Sequence, residues 1–252
     1  MEDGFAILRH AIRMIFHDIW ATLRITVGPV LLAVVAMVGI FMTVGAPGRM
    51  RHTIGLRPDY SDPAMTLALL LGVVVAMVCI TWMSVAWHRY ALLSEPPGPV
   101  LPRWRGAEVW SYILAALKLA ALALVLLIPA MFALGVLIAP FTRWDGAMMI
   151  IGTLLQIALT VFFLRLSLIL PAAALGKPLS LGASWSATRG MLGAIATVAA
   201  AFLLMQLLNQ GLARGGLLSG LLALALSWFS VTLSLSVLTT LYGARIEGRA
   251  LT

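Results

Sequence analysis

Six long runs of apolar residues, each closed by a charged or Gly/Pro-rich break, fix the solvent of this chain before any fold is considered. About 20 apolar residues is the length at which a helix crosses a hydrocarbon core of about 30 Å. Composition agrees: 62% of the 252 residues are hydrophobic and 10% are charged, where a soluble domain carries about 25% charged residues. The mean hydropathy is +1.04. A soluble interior has no room for this much apolar surface, and a bilayer does. Continuous runs, rather than alternating segments of about 10 residues, argue for helices over a β-barrel. The expected fold is an all-α integral membrane protein, a single-domain bundle of about six transmembrane helices with short loops.

The spans are expected at about 25–45, 64–87, 119–139, 147–168, 191–210 and 217–241. Residues 5–24, ahead of the first, are amphipathic. Phe5, Leu8, Ile12, Ile15, Phe16, Ile19 and Leu23 recur at spacings of three and four, and Arg9, His10, Arg13, His17 and Arg24 fall mostly between them. A helix of this kind, basic on its polar side, suits the membrane interface. It does not read as a cleaved signal peptide, whose n-region is shorter and whose apolar stretch is about 7–15 residues. Trp104, Trp110 and Tyr112 mark residues 103–117 as a second interfacial segment, and residues 184–190 form a third. Pro129 predicts a kink in the third span and Pro140 its end. The turn at 211–216 predicts a tight hairpin between spans five and six.

The formal net charge is +8. Its distribution orients the chain. Arg9, Arg13, Arg24, Arg89, Arg103, Arg105, Lys118, Arg165, Lys177, Arg189, Arg245 and Arg249 fall on one side of the spans; Arg49, Arg51, Arg57, Arg143 and Arg214 fall on the other. The richer side should be cytoplasmic. Both termini are then cytoplasmic, in a bacterial-type inner membrane. Trp144 is expected at the outer interface, and Trp20, Trp87, Trp104, Trp110 and Trp185 at the inner one. The cations are scattered rather than clustered, so they point to anionic lipid headgroups and not to nucleic acid. The single cysteine, Cys79, cannot form an internal disulfide.

A weak repeat underlies the spans. Trp20, Trp110 and Trp185 each precede a pair of spans, and Arg89, Arg165 and Arg245 each end one. Parallel repeats occur in transporters. The same pattern also arises because each entry into the membrane favours an aromatic anchor and each exit a cation.

Arg165 is the most unusual polar residue. Helical side chains lean towards the N-terminus, so on a span running inwards Arg165 leans back into the membrane and needs a protein partner. Glu95, Glu108, Glu247 and the carbonyls near Pro171 are the candidates. Lys118, early in a rising span, leans the other way and snorkels to water. Of the nine acids none falls inside a span, which disfavours proton- or sodium-coupled transport. His10, His17, His52 and His88 lack the neighbours a metal requires. HExxH, GxSxG and phosphate-loop motifs are absent. Ser227, Ser230 and Ser234 share one face of the sixth span; they either line a polar path or bond back to their own carbonyls and let helices approach.

The run Arg165-Leu-Ser-Leu-Ile-Leu-Pro-Ala, followed by Ser184-Trp-Ser-Ala-Thr-Arg-Gly190, together with the span count, resembles bacterial six-span inner-membrane proteins. That group includes YciC-like proteins and the membrane domain of some glycerophosphodiester phosphodiesterases. In those enzymes catalysis belongs to a separate soluble barrel, so the resemblance implies an accessory membrane domain and transfers no catalytic residue. The expected function is a non-catalytic, scaffold-like membrane protein that contacts membrane lipids, a membrane protein partner or a second copy of itself through its cytoplasmic face. The alternative is an uncoupled transporter or lipid-translocating protein. The residues singled out for an anion, headgroup or partner are Arg165, Arg89, His88, Trp87, Arg189 and Trp185. No cofactor or metal is expected.

Overall fold

Asp18 splits the N-terminal region into two helices. The computed structural model describes residues 4–44, 63–138 and 145–250. Helix α1 is Gly4–His17 and α2 is Ile19–Thr43. Asp18 lies between them, outside the helical region of φ/ψ, and its carboxylate accepts the Ala21 N–H at 2.9 Å. That bond satisfies one of the first-turn donors of α2, so the first span starts ahead of the expected residue 25. The remaining helices are α3 (Pro63–Leu93), α4 (Gly106–Ile138), α5 (Asp145–Leu166), α6 (Ile169–Ala174), α7 (Leu181–Ala187), α8 (Leu192–Ala213) and α9 (Leu217–Arg245). No strand occurs among the described residues. Six stretches are long and apolar enough to cross a membrane: α2, α3, residues Gly106–Ala133 of α4, Ile150–Ala174 through α5 and α6, α8 and α9. The protein is an all-α, multi-pass membrane bundle.

α2 pairs with α3, α3 packs on α9 and α4, α9 on α8, and α8 on α5. α1 lies across α8 and α9. α4 and α5 meet only over a short stretch, and α4 rests chiefly on the short, buried α6. The core sits at one end of the bundle. α3 buries residues mainly from Cys79 to Leu92, α9 from Thr232 to Gly243, α4 from Val109 to Leu119, and α8 Ala194, Ile195, Val198 and Ala199. One contiguous cluster joins Ile7, Ala11 and Ile15 of α1 to Trp87, Leu168, Ile195, Val237 and Leu241. The other halves expose apolar side chains, among them Val35 of α2, Val73 of α3, Phe132 of α4, Leu208 of α8 and Leu218 of α9. Lipid tails are as apolar as these side chains, so nothing drives them together.

Some boundaries differ from those expected. Within residues 103–117, α4 already begins at Gly106 and packs Val109, Tyr112 and Ile113 against Trp82 and Val85. α4 continues as one helix through Pro129. Pro140 and Trp144 lie outside the described residues. The segment 184–190 is mostly α7 and its C-terminal turn. Pro171 stands in the first turn of α6, where its missing N–H removes no helical bond. The hairpin between α8 and α9 is as tight as expected.

The first helix carries three faces rather than two. Ile7, Ala11 and Ile15 are buried against protein, Phe5 and Phe16 are exposed at 68% and 58%, and Arg9, Arg13 and His17 form an exposed polar stripe. The helix is therefore docked on the bundle. Gly4 permits that docking: a Cβ there would stand 2.5 Å from Thr197 Cβ and 2.6 Å from the Ala194 carbonyl oxygen. Trp87 is 0% exposed and belongs to the core rather than to an aromatic belt, whereas Trp20, Trp104 and Trp110 are exposed.

Candidate functional site

The packed end is also the basic end, and its arginines converge on one connection. Arg89 closes α3 and is nearly buried. Its guanidinium forks Glu95, Nε to Oε2 at 3.1 Å and Nη2 to Oε1 at 2.5 Å, and Nη1 donates to Glu108 Oε1 at 3.4 Å and to the Ala174 carbonyl at 3.1 Å. Arg105 adds a bond to Glu95 Oε1 at 3.1 Å. The fork and the charge of Arg89 hold the Glu95 carboxyl below the ordinary glutamate range, against the opposing effect of its partial burial. Arg245 ends α9 and donates from Nε to the Ala187 carbonyl at 2.8 Å and from Nη2 to the Arg189 carbonyl at 3.5 Å.

Arg165, at the end of α5, completes the set. Its Nε donates to Thr188 Oγ1 at 3.2 Å and its Nη2 to the Trp185 carbonyl at 3.2 Å, and its Cζ lies 3.5 Å from the centre of the Trp185 ring. In return Ser184 Oγ donates to the Arg165 carbonyl at 2.7 Å. The expected partner was an acid or a carbonyl near Pro171. Glu95 and Glu108 instead lie within reach of Arg89, and Glu247 pairs with Arg249 at 2.7 Å. All three repeat arginines thus donate to carbonyls of residues 174–189, at or near the C-terminal ends of α6 and α7. Free carbonyls and the negative dipole end favour cations there.

The remaining singled-out residues are dispersed. His88 is 0% exposed, and its ring stacks on Tyr112 with centroids 5.9 Å apart. Its Nδ1 lies 2.8 Å from Thr239 Oγ1. Because the Thr239 hydroxyl donates to the Leu235 carbonyl, it accepts from Nδ1–H, leaving Nε2 as the buried acceptor without a partner. Trp87 Nε1 is likewise buried without one. Arg189 contributes a carbonyl and extends its exposed side chain outward. Ser230 and Ser234 donate to Leu226 and Ser230 carbonyls on their own helix, and Ser227 donates to Ala223 while accepting from Asn209 Nδ2 at 3.0 Å.

Sequence reasoning missed a groove of about 600 Å³ between α1 and the end of α3, lined by His10, Arg13, Met14, His17, Tyr90, Ala91, Ser94, Glu95 and Pro96. The basic stripe of α1 was visible in the sequence, but its opposite wall was not. A smaller cavity of about 370 Å³ lies beside Ser111, Lys118 and Ser180. No family model, curated protein or solved structure matches the chain.

Proposed function

We propose that this is a non-catalytic, scaffold-like protein of a bacterial-type inner membrane, both termini cytoplasmic, whose basic end contacts anionic lipid headgroups or a membrane protein partner. One observation carries the reading. The polar groups best suited to chemistry are bound up in holding the bundle, Arg89, Arg165 and Arg245 on the 174–189 connection, while Arg13, Arg24, Arg103, Lys177 and Arg189 stay exposed. Exposed cations at one end of the bundle attract an anionic leaflet. The same cations support a cytoplasmic orientation by the positive-inside rule. The resemblance to six-span accessory domains adds support, because its two motifs, Arg165–Ala174 and Ser184–Gly190, are the segments that build this connection.

A second reading, uncoupled transport or lipid translocation, draws on one feature. A cavity of about 570 Å³ opens between α4 and α5, lined by Leu127, Met131, Gln156, Thr160, Phe163 and Ser167. Against it, the helices that carry Arg165 and Ser230 share a contiguous apolar cluster containing Leu164, Ile195, Val198 and Leu233.

Native mass spectrometry of the protein extracted with its surrounding membrane separates the readings. The first predicts a stoichiometric protein partner or retained anionic phospholipid. A retained small solute would favour the second. Turnover of a phospholipid by the purified chain, abolished by Arg165 or His88 substitution, would remove the non-catalytic reading.

A further inference from the structure

The groove between α1 and the end of α3 has the parts of an anion site. α1 cannot roll, because Ile7, Ala11 and Ile15 are sunk in the core and Gly4 is set against α8. That fixed roll turns His10, Arg13 and His17 onto one wall, facing Tyr90, Ser94 and Glu95. Arg13 and His17 form no ion pair among the described residues, and both are exposed. The one carboxylate on the groove, Glu95, is already held by Arg89 and Arg105. Its charge is compensated, and the unspent charge on the groove is positive.

Ser94 supplies an independent observation. It is the one residue other than glycine at positive φ among the described residues, at 54°. It closes α3 in a turn whose bond reaches six residues back, the Glu95 N–H on the Arg89 carbonyl at 3.4 Å. α9 ends in the same closure, Arg249 N–H on the Gly243 carbonyl at 2.9 Å, and there Gly248 takes the position at φ 69°. Glycine is the unstrained choice for it. At the end of α3 a serine stands instead, and it lines the groove. A guanidinium fork, imidazoles and the Tyr90 and Ser94 hydroxyls are a donor set matched to phosphoryl oxygens.

We propose that this groove binds a phosphate-bearing anion, with Arg13 as the charged contact, His17 as an imidazole N–H donor, and Tyr90 and Ser94 as hydroxyl donors. The ligand is either the headgroup of a phospholipid in the adjoining leaflet or a free phosphate from the aqueous side. Only the headgroup source rests on the lipid-contacting reading above.

The test uses the full chain, purified in a phosphate-free detergent, with Arg13→Gln and His17→Gln as variants. Arg9→Gln is the control, since Arg9 is on the same helix but does not line the groove. Two probes are added separately: inorganic phosphate, read by the rise in melting temperature, and phosphatidylglycerol, read by retention in native mass spectrometry. A response to inorganic phosphate that weakens about tenfold or more in Arg13→Gln, and stays within about twofold in Arg9→Gln, supports the site with a free anion. Retention of phosphatidylglycerol alone, with the same variant pattern, supports it with a headgroup. No response to either probe overturns the proposal. So does equal weakening in Arg9→Gln, which would mark diffuse attraction of lipid to the basic end and leave the lipid-contacting reading standing. Because Arg13 and His17 are exposed, the variants should melt with wild type when no ligand is present, so a binding loss is not a folding loss.

Discussion

Arg89 and Ala174 meet across 85 positions of the chain, guanidinium Nη1 to carbonyl oxygen at 3.1 Å. Through that one side chain the end of α3 is tied to the end of α6, while the same guanidinium holds Glu95 in the following loop and Glu108 in the first turn of α4. Four helical or loop segments thus share one cation. Arginine suits this role because its planar fork presents five N–H donors that reach several acceptors at once.

Replacing Arg89 should therefore loosen the packed end rather than a single contact. Arg89→Gln is expected to cost about 3 kcal/mol, the low end for breaking a buried pair, because Glu95 and Glu108 retain some water. Glu95 also gives the basic end an acid limit. Its folded-state carboxyl is held below its unfolded value of about 4.3. Its stabilising contribution is therefore fully present above that value and is lost as pH falls through the depressed one. Detergent-unfolding midpoints measured from pH 7 downward should drop in wild type and flatten in Glu95→Gln. A slope unchanged by Glu95→Gln would show that another carboxylate governs the acid limb.

Arg165 and Trp185 make the second latch, and its chemistry predicts a ranking. Lysine can keep the charge but cannot donate to Thr188 Oγ1 and the Trp185 carbonyl while also lying flat on the indole. Arg165→Lys should cost about 1–2 kcal/mol, and Trp185→Phe less than Trp185→Ala, because phenylalanine keeps a weaker π-face. Arg165→Leu should cost most and should raise hydrogen exchange in α7. Equal stability of the Lys and Leu variants would mean the cation is held by solvent and not by this segment.

The spans were legible in the sequence because hydropathy measures depth. It carries no information about which side of a helix meets protein, since hydrocarbon is as apolar as leucine. That is why Phe5, Ile12 and Phe16 were grouped with Ile15, although only Ile15 is buried, and why Trp87 read as an interface residue. The start of α4 was missed for a related reason. Trp104 and Trp110 do face outward, but Val109, Tyr112 and Ile113 beside them in the chain are already core. The three exit arginines were visible as a repeat. Their shared target was not, because convergence on residues 174–189 depends on α6 and α7 folding back across the bundle end. The groove was half legible: the basic stripe of α1 follows from spacing, whereas the left-handed backbone of Ser94 leaves no mark in composition.

Ser94 invites a substitution that should separate stability from binding. A non-glycine residue in the left-handed region carries roughly 1 kcal/mol of strain. Ser94→Gly relieves it, offset by the greater freedom of glycine in the unfolded chain, and should stabilise by about 0.5 kcal/mol. If the hydroxyl donates in the groove, phosphate or phosphatidylglycerol binding should weaken in the same variant. Opposite movement of the two quantities is the expected result. Destabilisation by Ser94→Gly would show that the serine side chain supports the loop itself.

Gly4 tests whether the docking of α1 builds that groove. A methyl group there meets Thr197 Cβ at 2.5 Å and the Ala194 carbonyl oxygen at 2.6 Å. The first contact is the Thr197 Cβ, which only glycine removes, and the second is backbone that cannot give way. Gly4→Ala should therefore cost about 1–3 kcal/mol, the range for overpacking a close interface, and Thr197→Gly should fail to restore the docking of α1. Amides of α1 should exchange faster in Gly4→Ala, and anion binding should fall although Arg13 and His17 are untouched. Because Ile7, Ala11 and Ile15 still draw the helix to the core, it should tilt about that anchor and not detach. Restored protection of the α1 amides by Thr197→Gly would place the tight contact on the Thr197 Cβ alone.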